Sequence, residues 1–444
     1  MRQRYILWFW WPLFASWLLM AAEGPIISAA INRLPNEVIM LAAMGIITSL
    51  SVTIESPIIN LLATSTALVR DHESYKLVRR FTLHWCLALT IIAFLIAYYT
   101  PLFDLILYKW LDVPDEIAQW VRPGMKIMVF WSAAIGWRRF LQGIMIRNKQ
   151  TSKVAYGTGI RLLASGGTVI SLALLTEWPG VVIGSTGLMA GVLAEALYAT
   201  IVVRPIIHEA LAPSAQPSSN TALTYRSLFW FHLPLAATSV LVLLMQPMIT
   251  SSLARLANPT ISLAAWPVLF QVLLMARASA MALPEVVIAL YENAATFAPL
   301  RKFSLYLTAA TTALMALFVF SPLANWYIFR VQDMTAAVGE LTLSSLGLFV
   351  FFPGMAVITS WLRGLLIQGR HTRYVNIGMG INLVITAVAL IIGVLQQWPG
   401  LVAAAVALNI ASLGEVAYLA WRTQLSLPLD LTLFGHPGAK PSRP

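Results

Sequence analysis

The sequence predicts an all-α, polytopic membrane protein with twelve transmembrane helices in two parallel six-helix repeats. Three observations predict it. The 444 residues are 59% hydrophobic and only 11% charged, with a mean hydropathy of +0.77, where an ordinary soluble domain carries about 25% charged residues. Apolar runs of about 20 residues recur along the whole chain, each long enough to cross a ~30 Å hydrocarbon core as a helix. One stretch also occurs twice: residues 12–83 reappear without a gap at 234–305, a shift of 222. Pro12 falls on Pro234, Pro25 on Pro247, Arg33 on Arg255, Asn36 on Asn258 and Phe81 on Phe303. Composition alone scatters Leu and Ala matches, but it does not align Pro, Arg and Asn.

The first run, 6–31, has a basic start and small residues after its apolar part, the outline of a signal peptide. Its duplicate at Pro234–Pro247 lies deep in the chain, so it is read as a retained first span. The other spans of the first repeat fall at 38–69, 81–107, 123–146, 154–176 and 180–203. Polar, Pro- and Ser-rich residues 204–226 form the expected cytoplasmic linker between an N-terminal bundle (1–203) and a C-terminal bundle (227–421). The second set falls at 227–253, 260–291, 303–328, 337–368, 374–396 and 400–421, and residues 422–444, with four prolines, are expected to be a disordered cytoplasmic tail. Because six is even, both repeats enter from the same side, related by an axis along the membrane normal. The later spans repeat as well. Residues 143–162 match 364–383 at a shift of 221, while Trp178-Pro179-Gly180 matches Trp398-Pro399-Gly400 and Glu195 matches Glu415 at a shift of 220. Gly157 and Gly159 pair with Gly378 and Gly380, where small residues permit close helix approach.

Orientation follows from the basic residues. With the N-terminus inside, 22 Lys and Arg fall at inner segments and 6 at outer ones, and Arg277 stays inside a span. Both termini are therefore expected in the cytoplasm, with the protein in the plasma (inner) membrane. The net charge of +11 is a topology signal and does not imply nucleic acid. One cysteine, Cys86, excludes internal disulfides, and six scattered histidines without i, i+4 pairing give no zinc pattern. No cofactor is expected, and the working unit is expected to be a monomer in the lipid bilayer.

Leu362-Arg363-Gly364 followed by Gln368-Gly369-Arg370-His371-Thr372-Arg373 resembles the LRG…G-x-TR stretch of multidrug and toxic compound extrusion (MATE) transporters. With its two parallel halves, nearly the whole chain resembles the superfamily of MATE exporters and lipid-linked oligosaccharide flippases (the MOP flippase superfamily). The first repeat also resembles the progressive ankylosis (ANK) branch, through Glu23, Val38–Ala43, Ser56-Pro57 and the basic loop Lys76–Arg80. The resemblance implies a MATE-like fold with alternating access, and the ANK branch implies export of small organic or phosphate-bearing anions. The acid expected in the first helix is here Glu23, in a different local context.

The chemistry must lie in the few polar groups inside the spans, because a charge at the bilayer centre costs roughly 2.5–3.5 kcal/mol on insertion scales. Glu55 in span 2 and Arg277 in span 8 differ by 222, the repeat shift itself. They are expected to meet across the pseudo-twofold axis, either as a structural ion pair or as a gate or substrate site. Glu23, just before Gly24-Pro25, is a lone carboxyl in an apolar setting. It is a candidate carrier of the coupling ion, a proton or sodium, with bonding to the local backbone as the alternative. Arg161 and its equivalent Asn382, together with Asn60 and Gln246, complete the expected central cavity. Arg161 either draws an anion inward or snorkels to the cytoplasmic surface. Glu195 and Glu415 are expected to be structural, buried against a neighbouring helix. The leading expectation is a secondary transporter of a small anion or drug-like solute. The alternative is a lipid or lipid-linked oligosaccharide flippase, which needs a groove able to take an acyl chain. No nucleophile elbow, phosphate-binding loop or metal cluster supports an enzyme.

Overall fold

The structure is a computed structural model that describes residues 2–148, 150–210, 223–291, 294–369 and 371–426. Most of the expected linker and tail, together with Lys149 and Arg370, lies outside these residues. The rest is helix and turn, without a strand among the described residues. Among the described residues ten helices are long and apolar enough to span a membrane, and the bent pair Ala336–Phe349 and Phe352–Gln368, angled by 46°, makes eleven. The twelfth is the fourth helix of the first repeat, built from Asp115–Ile127, Met128–Phe130 and Trp131–Arg147. It matches the others in length but carries Arg122, Lys126, Arg138 and Arg139, which depress its hydropathy.

Prolines break the spans where the duplication puts them. Span 1 is split into Gln3–Ala21 and Glu23–Ile31, and span 7 into Tyr225–Leu243 and Met245–Ala254. Pro25 and Pro247 lack the N–H that would bond the carbonyls of Ala21 and Leu243, four residues back. Span 2 breaks after Glu55 into a 3₁₀ turn, Ser56–Ile58. There Pro57 cannot donate to the Thr53 carbonyl, which accepts instead from the Ser56 N–H and, at 2.7 Å, from the Ser56 hydroxyl.

The helices pack as two compact units. The larger holds Ala22–Val268 and Phe329–Gly339, and the smaller holds the described parts of 1–21, 269–328 and 340–444. The first part of span 1 thus packs with spans of the second repeat, and span 7 packs with the first repeat. The duplication shows in the contacts that hold them. In the smaller unit the Trp10 indole donates to the Ser279 carbonyl at 3.0 Å. In the larger unit His232, the equivalent of Trp10, bonds through Nε2 to the carbonyl of Pro57, the equivalent of Ser279, at 2.9 Å. The His232 ring is fully buried against Phe81 and Trp85, and its Nδ1 meets Thr64 Oγ1 at 2.9 Å. In the larger unit spans 2 and 8 also touch on the axis itself, since Gly45 and Pro267 are equivalent positions. A Cβ built on Gly45 would stand 2.5 Å from Pro267 Cγ, so only glycine fits there.

The paired glycines divide. Gly157 faces Glu195 and Tyr198, and Gly378 faces Leu419 and Glu415, as close approach requires. Gly159 and Gly380 have nothing within 4 Å, because a step of two residues turns a helix position to the other side.

Candidate functional site

In the larger unit the charges inside the spans form one cluster. The fourth span supplies Arg138, whose Nη1 donates to Glu195 Oε2 at 2.5 Å, while Gln142, one helical turn on, donates to Glu195 Oε1 at 3.0 Å. The Arg138 and Glu195 side chains are only 5% and 1% exposed. The fifth span supplies Arg161, which grips Glu23 with both arms of its fork: Nε to Oε1 at 3.1 Å and Nη2 to Oε2 at 2.5 Å. Two parallel charge-assisted bonds fix orientation as well as charge. Glu55, 7% exposed, ends the helix before the Pro57 break, and its Oε2 has no hydrogen-bond partner. The charges acting on Glu55 are Arg138, Arg161 and Arg139. Three guanidinium groups therefore face three carboxylates.

The smaller unit repeats the arrangement with other residues. Glu415, the equivalent of Glu195, takes Arg363 Nε at 2.9 Å on Oε1, which Arg363 Nη2 also bonds, and Asn382 Nδ2 at 3.0 Å on Oε2. Arg363 stands where the first repeat has Gln142, and Asn382 where it has Arg161. Arg277 is the second cation here. The charges acting on it are Arg363 and Glu415, its guanidinium lies 5.2 Å from the Phe352 ring centre, its Nε has no partner, and among the described residues of its unit it makes no hydrogen bond or ion pair. Two guanidinium groups thus lie near one carboxylate, which Arg363 and Asn382 already hold. An apolar groove of about 660 Å³ also opens on this unit, between Thr308–Phe320 and Gly347–Phe351.

Several expectations change. Glu23 is not a lone carboxyl, because Arg161 neutralises it. Arg161 does not snorkel, since its side chain is 11% exposed and turned inward to that pair. Asn60 is spent on the seam with span 7, donating to the Leu235 carbonyl at 2.9 Å and to Ser239 Oγ at 2.6 Å. Gln246 is half-buried, and Glu285, in the last part of span 8, is exposed. Glu55 and Arg277 fall in different units, each with its own local charges. Arg138, Gln142 and Arg363 were missed as partners of the glutamates. Their signal was present in the sequence: Arg138 sits well inside a run otherwise long enough to span, although it was counted as an inner-end charge.

No protein-family model and no curated protein matches the sequence. Solved structures share the fold. An inward-facing multidrug resistance MATE family transporter of the MOP superfamily aligns over 93% of this chain and 94% of its own, with 14% identity and a TM-score of 0.71. An outward-facing structure of such a transporter aligns over 97% of both chains, with 15% identity and a TM-score of 0.66. The lipid II flippase MurJ in an inward closed conformation aligns over 93% of this chain and 86% of its own, with 14% identity and a TM-score of 0.68. The chain has the MATE-like fold of that superfamily and is a multi-pass helical membrane protein.

Proposed function

We propose that the protein is a secondary active transporter that works by alternating access and carries a small organic or phosphate-bearing anion, or an anionic drug-like solute, driven by a proton or sodium gradient. The observation that carries the anion reading is Arg277. An arginine in mid-span costs free energy unless something compensates it, and within its unit Glu415 is already held by Arg363 and Asn382. The missing anion is then the substrate. The larger unit, where Arg138 holds Glu195, Arg161 holds Glu23 and Arg139 balances the charge of Glu55, serves as framework and holds the coupling candidate Glu23. The resemblance to the ANK branch points to the same substrate class. Setting aside Arg138, Arg139, Arg161 and Arg363, which lie in the charge clusters, the remaining basic residues still favour one side, and on this reading the protein sits in the plasma (inner) membrane with both termini in the cytoplasm.

The test is counterflow in proteoliposomes with a panel of small anions, a lipophilic cation and a short-chain fluorescent lipid. Anion exchange supports the reading, and exchange of the cation alone refutes it. One observation favours the lipid flippase as the second reading, namely the apolar groove of about 660 Å³ beside Phe320 and Phe351. Movement of the fluorescent lipid between leaflets, with no anion exchange, would establish it.

A further inference from the structure

Arg33 and Arg255 hold equivalent positions, each in the turn after the first span of its repeat, and both lie in the larger unit with the residues they contact, Arg330, Val331 and Asp333 for one and Trp110 and Asp112 for the other. Arg33 bonds back to its own helix, from Nη1 to the Ala29 carbonyl at 2.5 Å. It also reaches the second repeat, with Nη2 donating to the Val331 carbonyl at 2.9 Å and the Arg330 carbonyl at 3.3 Å, and with Nε 3.9 Å from Asp333 Oδ2. Arg255 repeats this in reverse. Its Nη1 bonds to the Ser251 carbonyl at 3.1 Å, its Nη2 reaches the first repeat at the Trp110 carbonyl at 2.8 Å, and its Nε lies 3.7 Å from Asp112 Oδ2.

The receiving segments are equivalent too. Each is a π-helical turn, Leu105–Trp110 and Tyr327–Val331, followed by an aspartate in the left-handed region, Asp112 at φ 59° and Asp333 at φ 55°. Where such a turn ends, its last carbonyls have no intrahelical donor, and a guanidinium fork supplies two donors at once. Asn32 adds a bond to the Gln332 carbonyl at 2.8 Å, and Gly45 lies against Pro267 beneath. Each repeat's arginine therefore caps the other repeat's turn, at the same end.

We propose that Arg33 and Arg255 are a matched pair of latches that hold the two repeats together at this end and release together when the protein opens there. The proposal rests on the alternating-access reading. The exposure of the parts suits them to it. The arginine and aspartate side chains are 46% and 57% exposed in one latch and 32% and 60% in the other. Water can therefore take over the bonds the two arginines make, and such pairs are weak and salt-screened. A pseudo-twofold pair also has to break as a unit, which makes the change between closed and open steeper than one latch would.

The experiment uses the full-length protein in nanodiscs with Cys86→Ser and spin labels across each latch, Pro35→Cys with Ala337→Cys and Ala257→Cys with Gln119→Cys, all at exposed positions. Electron–electron double resonance reads both distances. Arg33→Gln with Arg255→Gln should raise the ratio of long to short distances about tenfold, and either single variant only a few-fold. Asp112→Asn with Asp333→Asn, which keeps a side chain that tolerates the left-handed backbone, should give a smaller rise in the same direction. High salt should lengthen the distances in the parent but not in the double glutamine variant. Unchanged distances in folded double variants of both kinds would overturn the latches. The readout needs no substrate, so opening without any solute moved refutes transport alone, and transport with unchanged distances refutes the latches alone.

Discussion

Glu195 and Glu415 stand at one place in the duplicated chain and are neutralised differently. In the first repeat the fourth span offers Arg138 and Gln142, and Arg161 on the fifth span is left for Glu23. In the second repeat Thr359 replaces the equivalent of Arg138, Arg363 replaces that of Gln142, and Asn382 that of Arg161. The glutamate keeps a donor from the fourth span of its repeat in both, so the packing role of the position survived duplication. The balance did not survive. One cluster balances three charges of each sign, two of its carboxylates held directly by arginines, and the other keeps an arginine to spare. On the proposed function the balanced cluster is framework and the one with the spare arginine is the binding site.

The sharpest way to break this comparison is to remove the two glutamates in turn. Glu195→Ala should cost about 3–5 kcal/mol, because it strands Arg138 where no water reaches. Glu415→Ala should cost less, about 1–3 kcal/mol, since the Arg363 side chain is 27% exposed and can be hydrated. Thermal unfolding in detergent checks both, and equal losses would mean that the two clusters are equally sealed.

Glu23→Gln comes next. It should abolish gradient-driven uptake while leaving exchange at equal pH on both sides largely intact, measured in proteoliposomes with and without a pH step. Unchanged gradient-driven uptake removes Glu23 from coupling. Asn382→Asp should then close the open cluster by supplying the missing negative charge. Anion exchange is expected to fall about tenfold, the equivalent of ~1.4 kcal/mol at the site.

The glycines give the smallest effects. Gly143→Ala and Gly364→Ala, equivalent positions, should both destabilise, since a Cβ would stand 2.6 Å from the Leu62 carbonyl oxygen and 2.8 Å from Val287 Cβ. Gly159→Ala and Gly380→Ala meet open space and should be neutral or stabilising by up to about 1 kcal/mol. Unfolding midpoints of the four variants test the assignment.

Much of the fold was legible because its causes are local or repetitive. Apolar runs predict the spans, Pro25 predicts the bend in span 1, and the shift of 222 relates the repeats, so that Gly45 and Pro267, which meet in the structure, turn out to be equivalent positions. Partner choice was not legible. Glu23 looks alone in the sequence because Arg161 is 138 residues away, and hydropathy cannot show that one charge cancels another. Arg138 looked like a surface charge because span edges are blurred, and only its contact with Glu195 places it inside. The exchange of the first spans was hidden for a similar reason, since a duplicated sequence specifies each repeat but not which copy a helix packs against.

The open cluster in the smaller unit carries the functional conclusion, and Arg277 tests it most directly. Counterflow of inorganic phosphate, a phosphate monoester and a dicarboxylate is measured for the parent, Arg277→Lys and Arg277→Gln, with equal amounts of folded protein in the vesicles. The expected result is exchange of at least one of these anions by the parent, partial exchange by the lysine variant and none by the glutamine variant. Undiminished exchange by Arg277→Gln would contradict it.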